Sequence, residues 1–175
     1  MKTWLKFLVF LIPAIASTIY LFWRLSPEQA VIRRADLIFT CLEKSTLSTG
    51  TPSKKAERFQ ELLSPSLKIQ APHPVESGEI NPPLAARMLK DFLNSILSCT
   101  VSREEDSVNF PTADHAIYQA FISVEITQGP GRGYHMRYLC RIEFQRPGRH
   151  WLAENIILTP RYTPFPSPGN PPRRG

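Results

Sequence analysis

Three tyrosines and one glutamate are the residues of this chain whose types and positions could support chemistry. Tyr118, Tyr134 and Tyr138 fall on the apolar faces of two long predicted strands. A buried tyrosine can donate a hydrogen bond to a carbonyl oxygen and so stabilise an oxyanion. Glu154 lies on the following predicted strand and is the best remaining candidate for a general base.

The direction of the Glu154 side chain decides whether it can take part. Alternate residues of a strand point to opposite faces, so Glu154 points inward if the even-numbered residues of its strand do. It points into solvent if Trp151, Ala153 and Ile157 are buried instead. The apolar faces of the two long strands contain no carboxylate and no histidine. The sequence therefore favours binding over catalysis, with Glu154 as a weak catalytic candidate.

The residues expected to line an interior pocket are mostly aromatic. They are Tyr118, Tyr134, Tyr138, Met136, Phe92 and Trp151. No Cys-x-x-Cys motif, Cys/His cluster or glycine-rich phosphate loop is present, so the sequence predicts neither a metal nor a cofactor. Cys41, Cys99 and Cys140 are read as small buried apolar residues, although a disulfide between two of them stays open if the domain lies outside the cytoplasm.

The elements that must position these residues centre on residues 116–158, which read as three consecutive antiparallel strands. From Ala116 to Ile126 every even-numbered residue is apolar, and the alternation restarts at Tyr134 and continues to Phe144. Turns rich in glycine and proline separate the strands at 129–133 and 146–149. At roughly 3.3 Å per residue the first strand would be about 40 Å long, which predicts a bent or strongly twisted sheet.

Helices are predicted before this sheet. Ser26-Pro27-Glu28-Gln29 can cap the first helix, a second begins near Ser53, and residues 84–97 carry the clearest helical stripe of the chain. A short strand is expected at 67–71, a proline-rich loop at 72–83 and an irregular strand at 99–110, which is interrupted by Glu104-Glu105-Asp106. Helices followed by a curved sheet predict an α+β domain.

With this order of elements the chain resembles the nuclear transport factor two-like superfamily, the cystatin-like cone that includes SnoaL-like and ketosteroid isomerase-like proteins. The resemblance covers about residues 27–158. It rests on element order, on the segment 62–69, on Asp114-His115-Ala116 entering a long strand and on Trp151 opening the last strand. It implies helices packed on the concave face of a cone or half-barrel, and the family includes both enzymes and non-catalytic domains.

The charge distribution argues against nucleic acid as a partner. The formal net charge is +6, but Lys2 and Lys6 lie near the start of the chain, and three of the 21 basic residues lie in the last fifteen positions. The other sixteen basic residues and all fifteen acids lie between these two ends, so the folded part is close to neutral. Arg137, Arg141 and Glu143 alternate on the outer sheet face, where a second copy or an envelope protein could bind.

The N-terminus predicts a membrane anchor. From Phe7 to Trp23 there are 17 residues without a charge, and at ~1.5 Å per residue they cover about 26 Å of a bilayer core of roughly 30 Å. Ala14-Ile15-Ala16 leaves cleavage of a signal peptide as the alternative. The expected division is therefore an anchor at 1–25, a domain at 26–159 and a disordered tail at 160–175, with the domain in the periplasm or otherwise outside the cytoplasm.

Two functions remain open from the sequence. The first is a non-catalytic binding or scaffold domain that is attached to a membrane. The alternative is a protein that binds a small apolar ligand, or an isomerase-like or cyclase-like enzyme, that uses the pocket of the cone. A deep pocket that contains Glu154 would favour the alternative, whereas a cone filled by Phe92, Leu93, Met136 and Phe144 would oppose it.

Overall fold

The computed structural model describes residues 26–45, 50–72 and 77–161 of the chain. The predicted anchor at 1–25 lies outside the described residues, and so does all but the start of the predicted tail. Within the described ranges, no helix combines the length and the apolar character needed to cross a membrane. The membrane attachment therefore stays a prediction from sequence.

Three helices and six strands make up the described structure. The helices are α1 (Pro27–Leu42), α2 (Pro52–Gln60) and α3 (Pro82–Ser95). The strands are β1 (Leu63–Gln70), β2 (Gly78–Ile80), β3 (Ser98–Thr112), β4 (His115–Gly129), β5 (Arg132–Gln145) and β6 (Leu152–Pro160). The predicted α+β class, with helices packed on a curved sheet, is confirmed.

Each helix begins at a capping side chain followed by a proline. The Ser26 hydroxyl accepts a hydrogen bond from the Gln29 amide at 3.3 Å, and Thr51 caps α2 in the same way. The Asn81 side chain accepts from the Leu84 amide at 2.9 Å. A cap of this kind satisfies an amide that has no partner inside the helix, and proline at the first helical position sacrifices no hydrogen bond.

The sheet has the order β2-β1-β6-β5-β4-β3. All neighbouring strands are antiparallel except β1 and β6, which are parallel. The antiparallel pairing predicted for the strands of 116–158 is therefore confirmed for β4, β5 and β6, and the short strand β1 adds the parallel pair. The two parallel strands are far apart in the chain, and no tight turn imposes a direction on them. Strand β2, which pairs with β1 through Leu67 and Ile80, lies in the predicted loop at 72–83 and is too short to show a period of two.

The helices cover the concave face of the sheet, which carries the even-numbered residues of β4. Helix α1 lies against β3 and β4, and the rings of Phe39 and Tyr118 are 6.1 Å apart. Ala116, Tyr118, Ala120 and Ile122 are all buried there. The core is therefore dense at this end of β4, where helix and sheet meet.

Candidate functional site

A cluster of polar side chains lies inside the cone between α1 and the edge strand β3. The guanidinium of Arg103 contacts Asp36 of α1 and lies 3.1 Å from an Asp106 carboxylate oxygen. It also donates a hydrogen bond of 3.3 Å to the Tyr118 hydroxyl, and its centre lies 5.7 Å from the Phe39 ring. One cation is thus shared by two carboxylates and a phenol from three elements.

The register of β3 explains why these groups meet. Arg103 pairs with the buried Ile122 of β4, so it points to the concave face. A bulge follows between Glu104 and Ser107, and Glu105 adopts a positive φ of 57° within it. The extra residues of a bulge turn the strand, and this places Asp106 on the same face as Arg103.

Electrostatic contacts in this cluster link α1 to the edge strand of the sheet. Burial, partly offset by the hydrogen bond from Arg103, raises the pKa of Tyr118 far above its ordinary value, so the phenol stays protonated. Both carboxylates already contact Arg103. The arrangement neutralises charge inside the cone and joins α1 to the edge of the sheet.

Asp36, Arg103 and Asp106 are not among the residues predicted for the site. The acidic group at 104–106 was expected only to interrupt a strand, and the candidate carboxylate was Glu154. One sequence signal could have indicated that Arg103 points inward. A period of two continues through Val101 and Arg103, which places both side chains on the same face of β3. Asp36 follows the buried Ala35 on the helical stripe of α1, but only the tertiary contact reveals its partner.

The concave face becomes more exposed to solvent towards the hairpin that joins β4 and β5. Ile126 pairs with Tyr134 and Val124 pairs with Met136, so all four share the face that is buried further along. Here, however, Tyr134 is 51% exposed and Met136 is 36% exposed, while Val124 and Ile126 are half-buried. The Tyr138 hydroxyl donates to the Met136 sulfur at 3.0 Å. We call these five residues the open half of the cone: Val124, Ile126, Tyr134, Met136 and Tyr138.

Glu154 is the extra residue of a bulge in β6. Each of the two orientations predicted for this strand therefore holds on one side of the bulge. Glu143 pairs with Asn155 and Phe144 pairs with Ala153, so Glu154 is the extra residue between them. Before the bulge Trp151 and Ala153 are buried, and after it Ile156 and Leu158 pack against the same core. Glu154 itself is half-buried and lies at the end of β6 away from the open half.

The remaining predicted site residues lie in separate places. Trp151 is buried, with its ring 6.0 Å from Phe110 and 5.0 Å from the Arg146 guanidinium. It precedes β6, which begins opposite Gln145, at the far end of β5 from Tyr134. Phe92 of α3 is half-buried against the core. Of the predicted lining, the structure therefore brings together Tyr134, Met136 and Tyr138.

A shallow depression lies on the opposite, convex face of the sheet. The Phe121 ring forms its floor, with the Arg161 guanidinium 4.5 Å above it and Arg137 beside Glu104 at 3.3 Å. Its free space is about 10 Å³, which is about the volume needed for one water molecule. It is too small to hold an organic ligand. Among the described residues, no group of three or more His, Cys, Asp or Glu side chains could hold a metal ion.

Comparison with solved structures identifies the fold. A scytalone dehydratase homologue from Novosphingobium aromaticivorans superposes with a TM-score of 0.63 at 9% identity, over 77% of this chain and 83% of that one. A dehydratase of the NTF2-like family from Streptomyces avermitilis gives 0.62 at 10% identity, over 77% and 96%. The type 2 hexachlorocyclohexane dehydrochlorinase LinA gives 0.61 at 10% identity, over 77% and 84%.

No protein-family model matches the chain, and neither does any curated protein sequence. At identities this low the structural similarity establishes the fold alone. The described domain therefore has the nuclear transport factor two-like cone fold, as its order of elements predicts.

Proposed function

We propose that this domain binds a small apolar molecule on the open half of the cone. The observation that carries the proposal is the exposure of Tyr134 and Met136 on a sheet face that is otherwise buried. Leaving apolar surface in water costs about 25 cal/mol per Å², and a contiguous exposed apolar surface commonly marks a binding site. The open half is such a surface at the mouth of a concave fold.

The chemistry of the open half suits a ligand that is largely apolar and carries one polar group. Val124, Ile126 and Met136 offer apolar contact, and the thioether of Met136 adapts to irregular shapes. Tyr134 is exposed at the same surface, and its hydroxyl can orient a carbonyl or hydroxyl group of the ligand. The named dehydratase and dehydrochlorinase neighbours, which share this fold, support a role with small molecules.

The proposal covers binding and no reaction. The carboxylates inside the cone are engaged by Arg103, and Glu154 lies away from the open half. A scaffold role beside a membrane is not included, because the segment from Phe7 to Trp23 on which it depends lies outside the described residues. That role stays a prediction from the sequence.

Titration with the fluorophore ANS, which has an apolar aromatic body and one sulfonate group, tests the proposal. We expect saturable binding to the folded protein and at least about a tenfold weaker affinity in the Met136→Glu variant, because a carboxylate there would lose its hydration when the ligand binds. The control is His135→Glu, which adds the same charge one residue away on the convex face. Equal weakening by both variants, or none by either, would overturn the proposal.

A further inference from the structure

Four polar side chains form a row across the convex face of the sheet, at the depression that Phe121 floors. Ser102 of β3 pairs with Ser123 of β4, and Ser123 pairs with Arg137 of β5. The row ends at Arg161, directly after β6, whose amide donates to the Arg137 carbonyl at 2.9 Å. All four residues line the depression, so two hydroxyl groups and two guanidinium groups from neighbouring strands meet there. We call these four residues the polar row.

Arg137 and Arg161 are like charges at facing positions of the sheet. Tyr138 pairs with Pro160, so the next position of the same register sets Arg161 opposite Arg137. Residues at facing positions of an antiparallel ladder have Cα atoms about 4.5–5.5 Å apart, and like charges there repel each other. Such a pair is stabilised when a group of opposite charge lies between the two cations.

The acids of the described residues do not balance this pair of cations. Glu104 contacts Arg137 at 3.3 Å, and the Glu104 side chain is 65% exposed. The Arg161 guanidinium lies 4.5 Å above the Phe121 ring, and no acid among the described residues forms an ion pair with it. The depression is therefore lined by two cations and one carboxylate, which leaves an excess of positive charge.

We propose that the polar row binds a phosphate group that has three terminal oxygen atoms, as in inorganic phosphate or a phosphate monoester. A guanidinium group can donate two parallel hydrogen bonds to a phosphate. The tetrahedral oxygens can therefore accept from Arg137, Arg161 and the Ser102 hydroxyl at the same time. A carboxylate fits less well, because it has only two oxygen atoms, in one plane, to share between two arginines.

The size of the depression suits an oxyanion whose other atoms stay at the surface. Its free space of about 10 Å³ admits one group of the size of a water molecule. In the proposed complex one phosphate oxygen fills this space, and the other oxygens lie beside the guanidinium groups. The face of the Phe121 ring attracts the Arg161 cation, so this arginine is in position before the anion binds.

The charges around the polar row favour a soluble phosphate over the surface of an anionic membrane. Glu125 and Glu143 alternate with the buried residues of their strands, so they share the convex face with Glu104. An anionic bilayer would bring many phosphates against these three carboxylates, whereas a small molecule contacts the polar row alone. This site is independent of the open half, which lies on the concave face.

An NMR titration of the full chain with inorganic phosphate tests the proposal. Backbone amide and arginine Nε–H signals are followed at neutral pH and constant ionic strength, so that the screening of charges stays the same. We expect saturable shifts at Arg137 and Arg161, and at least about tenfold weaker affinity in Arg161→Gln and in Arg137→Gln. The matched control, Arg149→Gln, removes an exposed charge from the turn before β6 and should change the affinity by less than about twofold.

Glu104→Gln gives a prediction of the opposite sign. It removes the carboxylate that competes for Arg137, so phosphate should bind about threefold more tightly. Urea denaturation verifies that each variant is folded. Equal shifts with chloride, equal weakening by Arg149→Gln and Arg161→Gln, or weaker binding in Glu104→Gln would contradict the proposal. A response to phosphatidic acid vesicles that depends on Arg161, without one to inorganic phosphate, would overturn the soluble source.

Discussion

Arg103 is the residue on which the interior of the cone depends. Its side chain is 28% exposed and contacts two carboxylates and the buried Tyr118 hydroxyl. A half-buried charge is tolerated here because each neighbouring group compensates another. Removing the cation would leave Asp36 and Asp106 facing each other across the same space.

We therefore expect Arg103→Met to lower the free energy of unfolding by about 1–2 kcal/mol, less than for a fully buried pair because water partly screens the site. The measurement is urea denaturation at neutral pH. Arg87→Met is the matched control, since the Arg87–Asp91 pair is largely exposed and its loss should change stability by less than about 0.5 kcal/mol. Equal effects of the two substitutions would contradict a structural role for the cluster.

At the scale of elements, two bulges decide which side chains enter the cone. The bulge in β3 brings Asp106 to the concave face, and the bulge at Glu154 allows Ala153 and Ile156 to share one face of β6. A further contact joins the end of α1 to the end of α3: the Lys44 ammonium donates to the carbonyls of Leu93 and Ile96 at 2.6 Å each. These hydrogen bonds satisfy two carbonyl groups at the C-terminal end of α3.

Deleting Glu154 tests the β6 bulge. Without the extra residue, Ala153 and Ile156 stand two positions apart, so a regular strand keeps both of them and Trp151 on the concave face. We expect the deletion to cost less than about 1.5 kcal/mol and to leave unfolding cooperative, because no buried side chain leaves the core.

Glu154→Ala keeps the residue count and supplies the control. It should change the free energy of unfolding by less than about 0.5 kcal/mol, and both variants can be compared by chemical denaturation monitored through tryptophan fluorescence. A deletion variant that loses more than about 3 kcal/mol, or unfolds without cooperativity, would contradict the assignment of Glu154 as the extra residue of the bulge.

At the scale of the whole molecule, the cone has a closed half and an open half. The closed half contains the core shared by the helices and the sheet, including all three cysteines, which are free and buried. No disulfide joins them. Burial raises the pKa of the Cys99 thiol to about 11 and that of Cys140 to about 12.

These buried acids predict a loss of stability in alkali. The unfolded chain releases the thiol protons near pH 8.5, whereas folded Cys140 keeps its proton up to about pH 12. Stability is therefore fully present below about pH 8.5 and falls as the pH rises, by up to about 1.4 kcal/mol per pH unit for each such group. Measurement of the free energy of unfolding between about pH 8 and pH 11 checks this expectation.

Cys140→Ala isolates one contribution to this pH dependence. The variant should be less stable at neutral pH because of the lost packing, yet its stability should fall less steeply with rising pH. An unchanged slope would mean that Cys140 does not keep its proton in the folded state.

Local patterns in the sequence predict most of the elements. The three helices, the long strands of the 116–158 segment and the cap at Ser26 follow from periodicity and from residue types at helix ends, because such patterns reflect contacts between near neighbours. The concave placement of Tyr134, Met136 and Tyr138 also follows from alternation along one strand. The cone fold was then inferred from the order of the elements.

Contacts between distant segments decide the rest. The Asp36–Arg103 contact, the parallel pairing of β1 with β6 and the bulge at Glu154 join parts of the chain that are far apart in sequence. An alternating pattern specifies a face only while the register is unbroken, and a single inserted residue reverses it. The sequence alone therefore determined what the strands carry, whereas only the tertiary structure decided which side chains meet inside the cone.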